Sequence, residues 1–181
     1  MSFRIVDILG LVRRIGIYPG TFDPIHMGHL AFALEAIKVC GLDRVIFFPE
    51  ATPRGKTNVS SIDTRLNQIQ LMIKQYPELD TKILTSPQFT VKNTLPEIQN
   101  EFPNAVLTLL IGSDIIPGLG KWSNVKTLLK TCDIAIGMRS NQTEYEIDQH
   151  IAELTSLSTS TLFTIVKTNY STLASSTFRN K

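Results

Sequence analysis

Short apolar runs alternate with amphipathic stretches from residue 13 to about residue 166. Ile15–Tyr18 and Arg44–Phe48 (RVIFF) have the character of strands. Between them Leu30, Ala33, Leu34 and Ile37 recur at helical spacing, and Gly41 follows as a C-cap. Strand, helix and strand together span about 30 residues, as a βαβ unit does. Ser60 and Asp63 are candidate caps for a helix carrying Leu66, Ile69, Met72 and Ile73 on one face. Ala105–Ile111 (AVLTLLI) is continuously apolar, the mark of a strand buried on both faces. Val125–Leu129 predicts a short helix, Cys132–Ile136 a buried strand, Glu144–Leu157 a helix and Leu162–Val166 a last strand. Strands joined by helices imply a Rossmann-like α/β fold, a parallel sheet doubly wound by helices on both faces. Neither an internal repeat nor a shift of composition divides the chain, so residues 13–181 are expected to form one domain behind an N-terminal extension, residues 1–12.

Composition narrows the setting. The 181 residues are 43% hydrophobic and 19% charged, with a formal net charge of +2. That balance gives no general reason to expect nucleic acid or an anionic membrane as partner. The two cysteines, Cys40 and Cys132, form no CxxC pair, which argues against a disulfide framework or a cysteine zinc site and favours a reducing interior. No stretch reaches the roughly 20 apolar residues that span a bilayer. In MSFRIVDILGLVRR the basic pair follows the apolar part, the wrong order for a secretory signal. The expectation is a cytoplasmic protein, with residues 1–12 a packing or dimer contact that leaves a homo-oligomer open.

Ligands of open parallel sheets bind beyond the carboxyl ends of the strands. Pro19–His29, Pro49–Lys56 and Gly112–Trp122 follow strands directly and are unlike plain connectors. The first is the richest in chemistry. Gly20 allows close backbone approach or a positive φ, and Pro24 restricts its own φ and the residue before it. His26 and His29 are three apart where a helix begins, so their rings can project from one side. Gly28 between them leaves room for a ligand. A helix N-terminus presents unpaired N–H groups and the positive end of its dipole, a seat for phosphate. Two of the three histidines in the chain fall at this junction.

The string GTFDPIHMGH, from Gly20 to His29, resembles the signature of the HxGH nucleotidyltransferase superfamily. The resemblance implies in-line attack by a phosphate oxygen of an acceptor on the α-phosphorus of a nucleoside triphosphate, with pyrophosphate leaving. His26 and His29 would then stabilise charge on the phosphates rather than act as nucleophiles, in keeping with phosphoryl-transfer physics. Gly20, Thr21, Phe22 and Gly28 would contribute to ATP binding. The sequence offers no carboxylate cage, so Mg²⁺ is expected to arrive with ATP, held by phosphate oxygens and water.

From about residue 14 to residue 179 the chain is most similar to the bacterial nicotinate-nucleotide adenylyltransferases, which implies ATP and nicotinate mononucleotide as substrates. Pro49–Lys56 (PEATPRGK) resembles that family's segment ending in Pro-His-Lys. Here Pro53-Arg54-Gly55-Lys56 stands in its place, without the histidine, and Lys56 would meet a phosphate. Phe89–Leu95 (FTVKNTL) resembles Ser-Tyr-Thr-x-Asp-Thr-Leu, which would put Thr90 on the pyridine carboxylate; Thr94-Leu-Pro-Glu97 is also a capping box. Gly112-Ser113-Asp114, with Trp122 beyond it, resembles Gly-x-Asp followed by Trp, implying a ribose contact for Asp114 and ring stacking for Trp122. Ser175–Arg179 (SSTFR) resembles the family's Ser-Ser-Thr-x-Ile-Arg block, in which Ser176, Thr177 and Arg179 would cradle the β- and γ-phosphates. Arg139 is a further anion-site candidate.

Two alternatives remain at this level. One is a related adenylyltransferase acting on nicotinamide mononucleotide or phosphopantetheine; phosphopantetheine enzymes tend to carry Thr in place of His26. The other is a catalytically weak nucleotide-binding homologue, motivated by the altered PRGK segment and by the family's additional helix after the Ser175–Arg179 block, where this sequence ends at Lys181.

Overall fold

The computed structural model describes residues 13–139 and 142–169. Six parallel strands form one sheet in the order β3-β2-β1-β4-β5-β6. They are β1 (Arg14–Gly20), β2 (Arg44–Pro49), β3 (Leu79–Thr81), β4 (Val106–Gly112), β5 (Cys132–Gly137) and β6 (Phe163–Val166). The helices are α1 (Met27–Cys40), α2 (Ile62–Ile73), α3 (Thr94–Glu101), α4 (Ile116–Leu119), α5 (Val125–Thr131) and α6 (Glu144–Thr155). The strand order reverses between β1 and β4, whose pairing aligns Ile17 with Leu109.

Side-chain alternation divides the core between the two faces of the sheet. On one face Val45 and Phe47 of β2, Leu110 of β4 and Ala135 of β5 pack against Leu30, Ala33 and Ala36 of α1 and Ile69 and Ile73 of α2. On the other, Ile15, Ile17, Ile46, Phe48, Leu107 and Leu109 pack against Leu95 and Ile98 of α3, Leu128 of α5 and Ile147 and Leu154 of α6. Burial on both faces is why the central strands read as unbroken apolar runs. At roughly 1.5–3 kcal/mol for each large aliphatic or aromatic side chain, these two layers supply most of the favourable folding energy.

The helix boundaries follow local chemistry. Gly41, at φ 61°, ends α1 in the left-handed conformation, and its N–H donates to the Ile37 carbonyl. The α2 cap is Ser61 rather than Ser60 or Asp63: its side chain accepts from the Thr64 N–H. Thr143 and Glu146 form a full capping box on α6. The box expected over Thr94–Glu97 does not form. Asn93 is the cap, Thr94 is already helical, and Glu97 accepts from the Thr85 N–H and hydroxyl instead. Pro96 then falls in the first turn of α3, where a missing N–H costs no intrahelical bond. The edge strand β3 has no counterpart among the sequence expectations, because three residues are too few to establish an alternation.

Candidate active site

The strand ends at the β1/β4 reversal open into a cleft of about 670 Å³. Most of its walls come from the three segments that follow β1, β2 and β4: Thr21 and His29 from the first, Arg54 and Lys56 from the second, Asp114 and Trp122 from the third. A smaller hollow continues from it over α1, lined by His26, Gly28, Phe32, Met138 and Thr168. Tyr18, His29, Gly112 and Arg139 border both.

The two histidines are built into the start of α1. His26 is the N-cap, and its Nδ1 accepts from the Gly28 N–H at 3.1 Å. His29, three residues on, returns its Nδ1 to the His26 N–H at 3.2 Å. This is a capping box with imidazoles in place of the usual hydroxyl and carboxylate. The rings stack at 3.8 Å with 29° between their planes. An Nδ1 that accepts from a backbone N–H carries no proton, so the neutral ring holds its proton on Nε2. Burial lowers His26 to about 4, assisted by the Arg139 charge. Burial, His26, Arg139 and Lys56 together lower His29 to about 3. Near neutral pH the site therefore holds two uncharged Nε2–H donors at a helix N-terminus.

Around them the loop is tightly held. Gly20 has no positive φ; it makes room for the Phe22 ring, whose nearest atom would stand 2.9 Å from a Cβ there. The left-handed residue is Phe22 itself, at φ 49°. The Asp23–Pro24 peptide is cis. Phe22 meets His29 edge-on at 5.1 Å and Tyr18 at 5.2 Å. Tyr18 is buried, which pushes its phenol upward and keeps it neutral.

Lys56 reaches Thr21 and donates to its hydroxyl at 2.7 Å, so the Pro53–Lys56 segment brings an ammonium to the loop that carries the histidines. Asp114 accepts from the Arg139 guanidinium at 3.0 Å. The buried Ser113 hydroxyl accepts from the Arg139 N–H at 3.1 Å and pairs with the Gln142 side chain, fastening the segment after β5 to the segment after β4. Trp122 is half-buried with Phe89 6.5 Å away, both on the cleft wall. Thr90 does not line the cleft: its hydroxyl accepts from the Asn93 N–H, a local turn bond. Ser176, Thr177 and Arg179 lie outside the described residues.

Several groups in and behind the wall make contacts that the sequence pattern does not reveal. Arg54 donates to the Gln88 side chain at 2.9 Å, and the Glu50 carboxylate accepts from the Phe89 N–H at 2.9 Å, joining the segment after β2 to the one before α3. Arg65 is only 1% exposed and bonds to four loop carbonyls. An arginine in an amphipathic helix reads as a surface residue, and only the tertiary contacts reveal otherwise. Ser113 lies in the Gly112-Ser113-Asp114 motif, where a buried serine that ties two loops has no sequence mark of its own.

A doubly wound parallel sheet with paired imidazoles and a lysine at the first helix N-terminus, and a cleft at the strand reversal, defines a nucleotidyltransferase of the HxGH class. Residues 17–181 match the cytidylyltransferase-like family. A probable nicotinate-nucleotide adenylyltransferase of Methylacidiphilum infernorum is 33% identical over 147 residues, covering 78% of this chain and 72% of the relative. One from Listeria monocytogenes is 34% identical over 142 residues, 75% of each chain. In three dimensions, the Plasmodium falciparum nicotinic acid mononucleotide adenylyltransferase complexed with NaAD superposes with a TM-score of 0.73 at 17% identity, covering 93% of this chain and 83% of that one. The chain belongs to the nicotinate-nucleotide adenylyltransferase family within the cytidylyltransferase-like nucleotidyltransferases. Among the described residues, no helix is long and apolar enough to cross a membrane.

Proposed function

We propose that the protein transfers the adenylyl group of ATP to nicotinate mononucleotide, forming deamido-NAD and releasing pyrophosphate. The observation that carries this reading is the stacked pair of neutral imidazoles whose Nδ1 atoms are spent on the α1 cap, His29 lining the cleft and His26 the hollow beside it. The names of the relatives supply the acceptor.

An acceptor phosphate oxygen attacks the α-phosphorus in line. The new P–O bond forms as the bond between the α-phosphorus and its bridging oxygen breaks, and the electron pair leaves with pyrophosphate. A phosphate nucleophile is already ionised at neutral pH, so the step needs no general base. What remains for the protein is positioning and charge stabilisation. His26 and His29 donate to phosphoryl oxygens as charge shifts onto them, Lys56 adds a positive charge, and the backbone N–H groups of α1 add their dipoles. Asp114 and Trp122 are assigned to the ribose of ATP and the pyridine ring of the acceptor. Ser176, Thr177 and Arg179 are assigned to the β- and γ-phosphates by resemblance, and Arg139 to a phosphate. Thr90 keeps its assignment to the acceptor on resemblance alone.

Magnesium belongs to this reading as part of the ATP complex. The cleft carboxylates Glu50 and Asp114 have protein partners, and no group of three metal-ligating side chains is gathered among the described residues. Phosphate oxygens and water are assigned as its ligands, and it would neutralise the triphosphate and the departing pyrophosphate.

The test is pyrophosphate release from purified protein supplied with ATP, Mg²⁺ and each acceptor separately. Release with nicotinate mononucleotide well above that with nicotinamide mononucleotide or phosphopantetheine supports the assignment. Preference for another acceptor reassigns the substrate. No release with any of them, while ATP binds, leaves a nucleotide-binding homologue and refutes the enzymatic claim.

A further inference from the structure

Arg65 is the largest fully buried side chain of the described residues, and nothing in the reaction outlined above uses it. It sits in the first turns of α2, whose cap is Ser61. Its guanidinium forks across three segments. Nη1 donates to the Thr21 carbonyl at 2.7 Å and to the Glu50 carbonyl at 2.9 Å; Nη2 donates to Ala51 at 3.3 Å, and Nε to Ser60 at 2.9 Å. All four acceptors are main-chain carbonyls of loops around the cleft.

Those loops are joined at other points too. The Glu50 N–H donates to the Gly20 carbonyl at 2.9 Å, and the Ser60 N–H donates to the Asp23 carboxylate at 3.2 Å. Thr21 is gripped from both sides: its carbonyl by Arg65, its hydroxyl by Lys56. The Lys56 segment is thus anchored at both ends, Glu50–Ala51 and Ser60, to the same guanidinium that holds the histidine loop. A buried ion costs several kcal/mol of solvation unless its donors are satisfied. Burial accordingly pushes Arg65 downward, while the Asp23 and Glu50 carboxylates oppose that shift. Packing alone would be served by an apolar residue, whereas only a planar fork of five donors can bind carbonyls of three segments at once.

We propose that Arg65 is a positioning residue: it sets the Lys56 ammonium relative to the imidazoles of His26 and His29 by holding their two loops in register through Thr21, Glu50, Ala51 and Ser60. This rests on the adenylyl-transfer reading for its kinetic arm, but not for its binding arm. A displacement of about 1 Å in a phosphate-positioning group lowers turnover by roughly a hundredfold.

The experiment is a double-mutant cycle between Arg65→Lys and Lys56→Ala, with Arg65→Gln as a second variant. Circular dichroism gives the folded fraction, and rates are expressed per folded molecule at a temperature well below the melt. The expected result for Arg65→Lys is a kcat lowered about 10- to 100-fold with KM for both substrates changed much less. The double variant is expected to be no worse than the poorer single variant, since misplacing Lys56 and removing it abolish the same contact. The cycle is repeated on ATP affinity, read by isothermal titration calorimetry. That arm needs no acceptor. If the wild type binds ATP but forms no product, the assigned reaction fails, and the Arg65 proposal is still decided by whether the two substitutions couple in ATP binding. Independent, multiplying effects overturn the proposal. So does a kcat per folded molecule within threefold of wild type in both Arg65 variants. If neither variant folds at any temperature, Arg65 belongs to the framework of the fold and the positioning role is refuted.

Discussion

Replacing His29 by Asn separates the two tasks of this residue. Its Nδ1 accepts from the His26 N–H at 3.2 Å, and its Nε2–H is the donor that the proposed reaction assigns to a phosphoryl oxygen. An Asn carboxamide places its oxygen near the position of Nδ1 but ends short of Nε2. His29→Asn should keep the cap of α1 and lose the donor. Removing one preorganised donor to developing charge costs about 2.7–4 kcal/mol of transition-state stabilisation, or roughly 10²–10³ in kcat. His29→Ala should lose the donor and the cap together. The cap bond lies at the long end of the usual range, so about 0.5–1 kcal/mol of stability is expected to go with it. For a domain of this size that lowers Tm by about 1–4 °C, with a further loss from the space opened beside Phe22. Pyrophosphate release measures the first effect and a calorimetric melt the second. A His29→Asn protein that turns over within tenfold of wild type would refute the assignment of Nε2 to the reaction. Equal Tm losses for Asn and Ala would refute the capping role.

Acid should destabilise the fold through the two histidines. Their folded values, about 4 and about 3, lie below the ordinary 6.5, so between those limits the unfolded chain binds more protons. Their contribution is fully present above pH 6.5 and is lost as pH falls toward 3; urea midpoints should drop across that window, and less so in a His26→Asn/His29→Asn protein. Trp122→Ala is expected to raise the KM for nicotinate mononucleotide while leaving ATP affinity near wild type, and an equal loss for both ligands would assign the indole to packing. Gly112→Ala would press a methyl group onto the Asp114 carboxylate, which must then leave Arg139. A raised KM for ATP with an unchanged far-UV spectrum is the expected outcome, and an unchanged KM would remove Asp114 from the nucleotide site.

Much of the architecture was legible because burial on both faces of a parallel sheet leaves a one-dimensional trace. The runs RVIFF and AVLTLLI, and the apolar positions spaced along α1, marked strands and helix to within a residue or two. β3 left no such trace, and the Thr94–Glu97 box was misread because Glu97 found a better partner in Thr85, twelve residues earlier. Local capping patterns are offers that a tertiary contact can outbid.

The division within the active site follows the same physics. His26 and His29 belong to one strand–loop–helix junction, so their spacing alone was enough to predict paired imidazoles at the N-terminus of α1. The sequence by itself determined the sheet, that junction and the class of chemistry. Only the tertiary structure decided which nitrogen of each ring is spent on the helix cap, because that depends on folded backbone, and on burial that keeps both rings neutral. It also brought Lys56 to Thr21 across 35 positions and Arg65 to the same residue across 44, contacts made when β1 and β2 pair side by side. Such long-range meetings carry no periodicity along the chain; they exist only once the sheet has closed the distance.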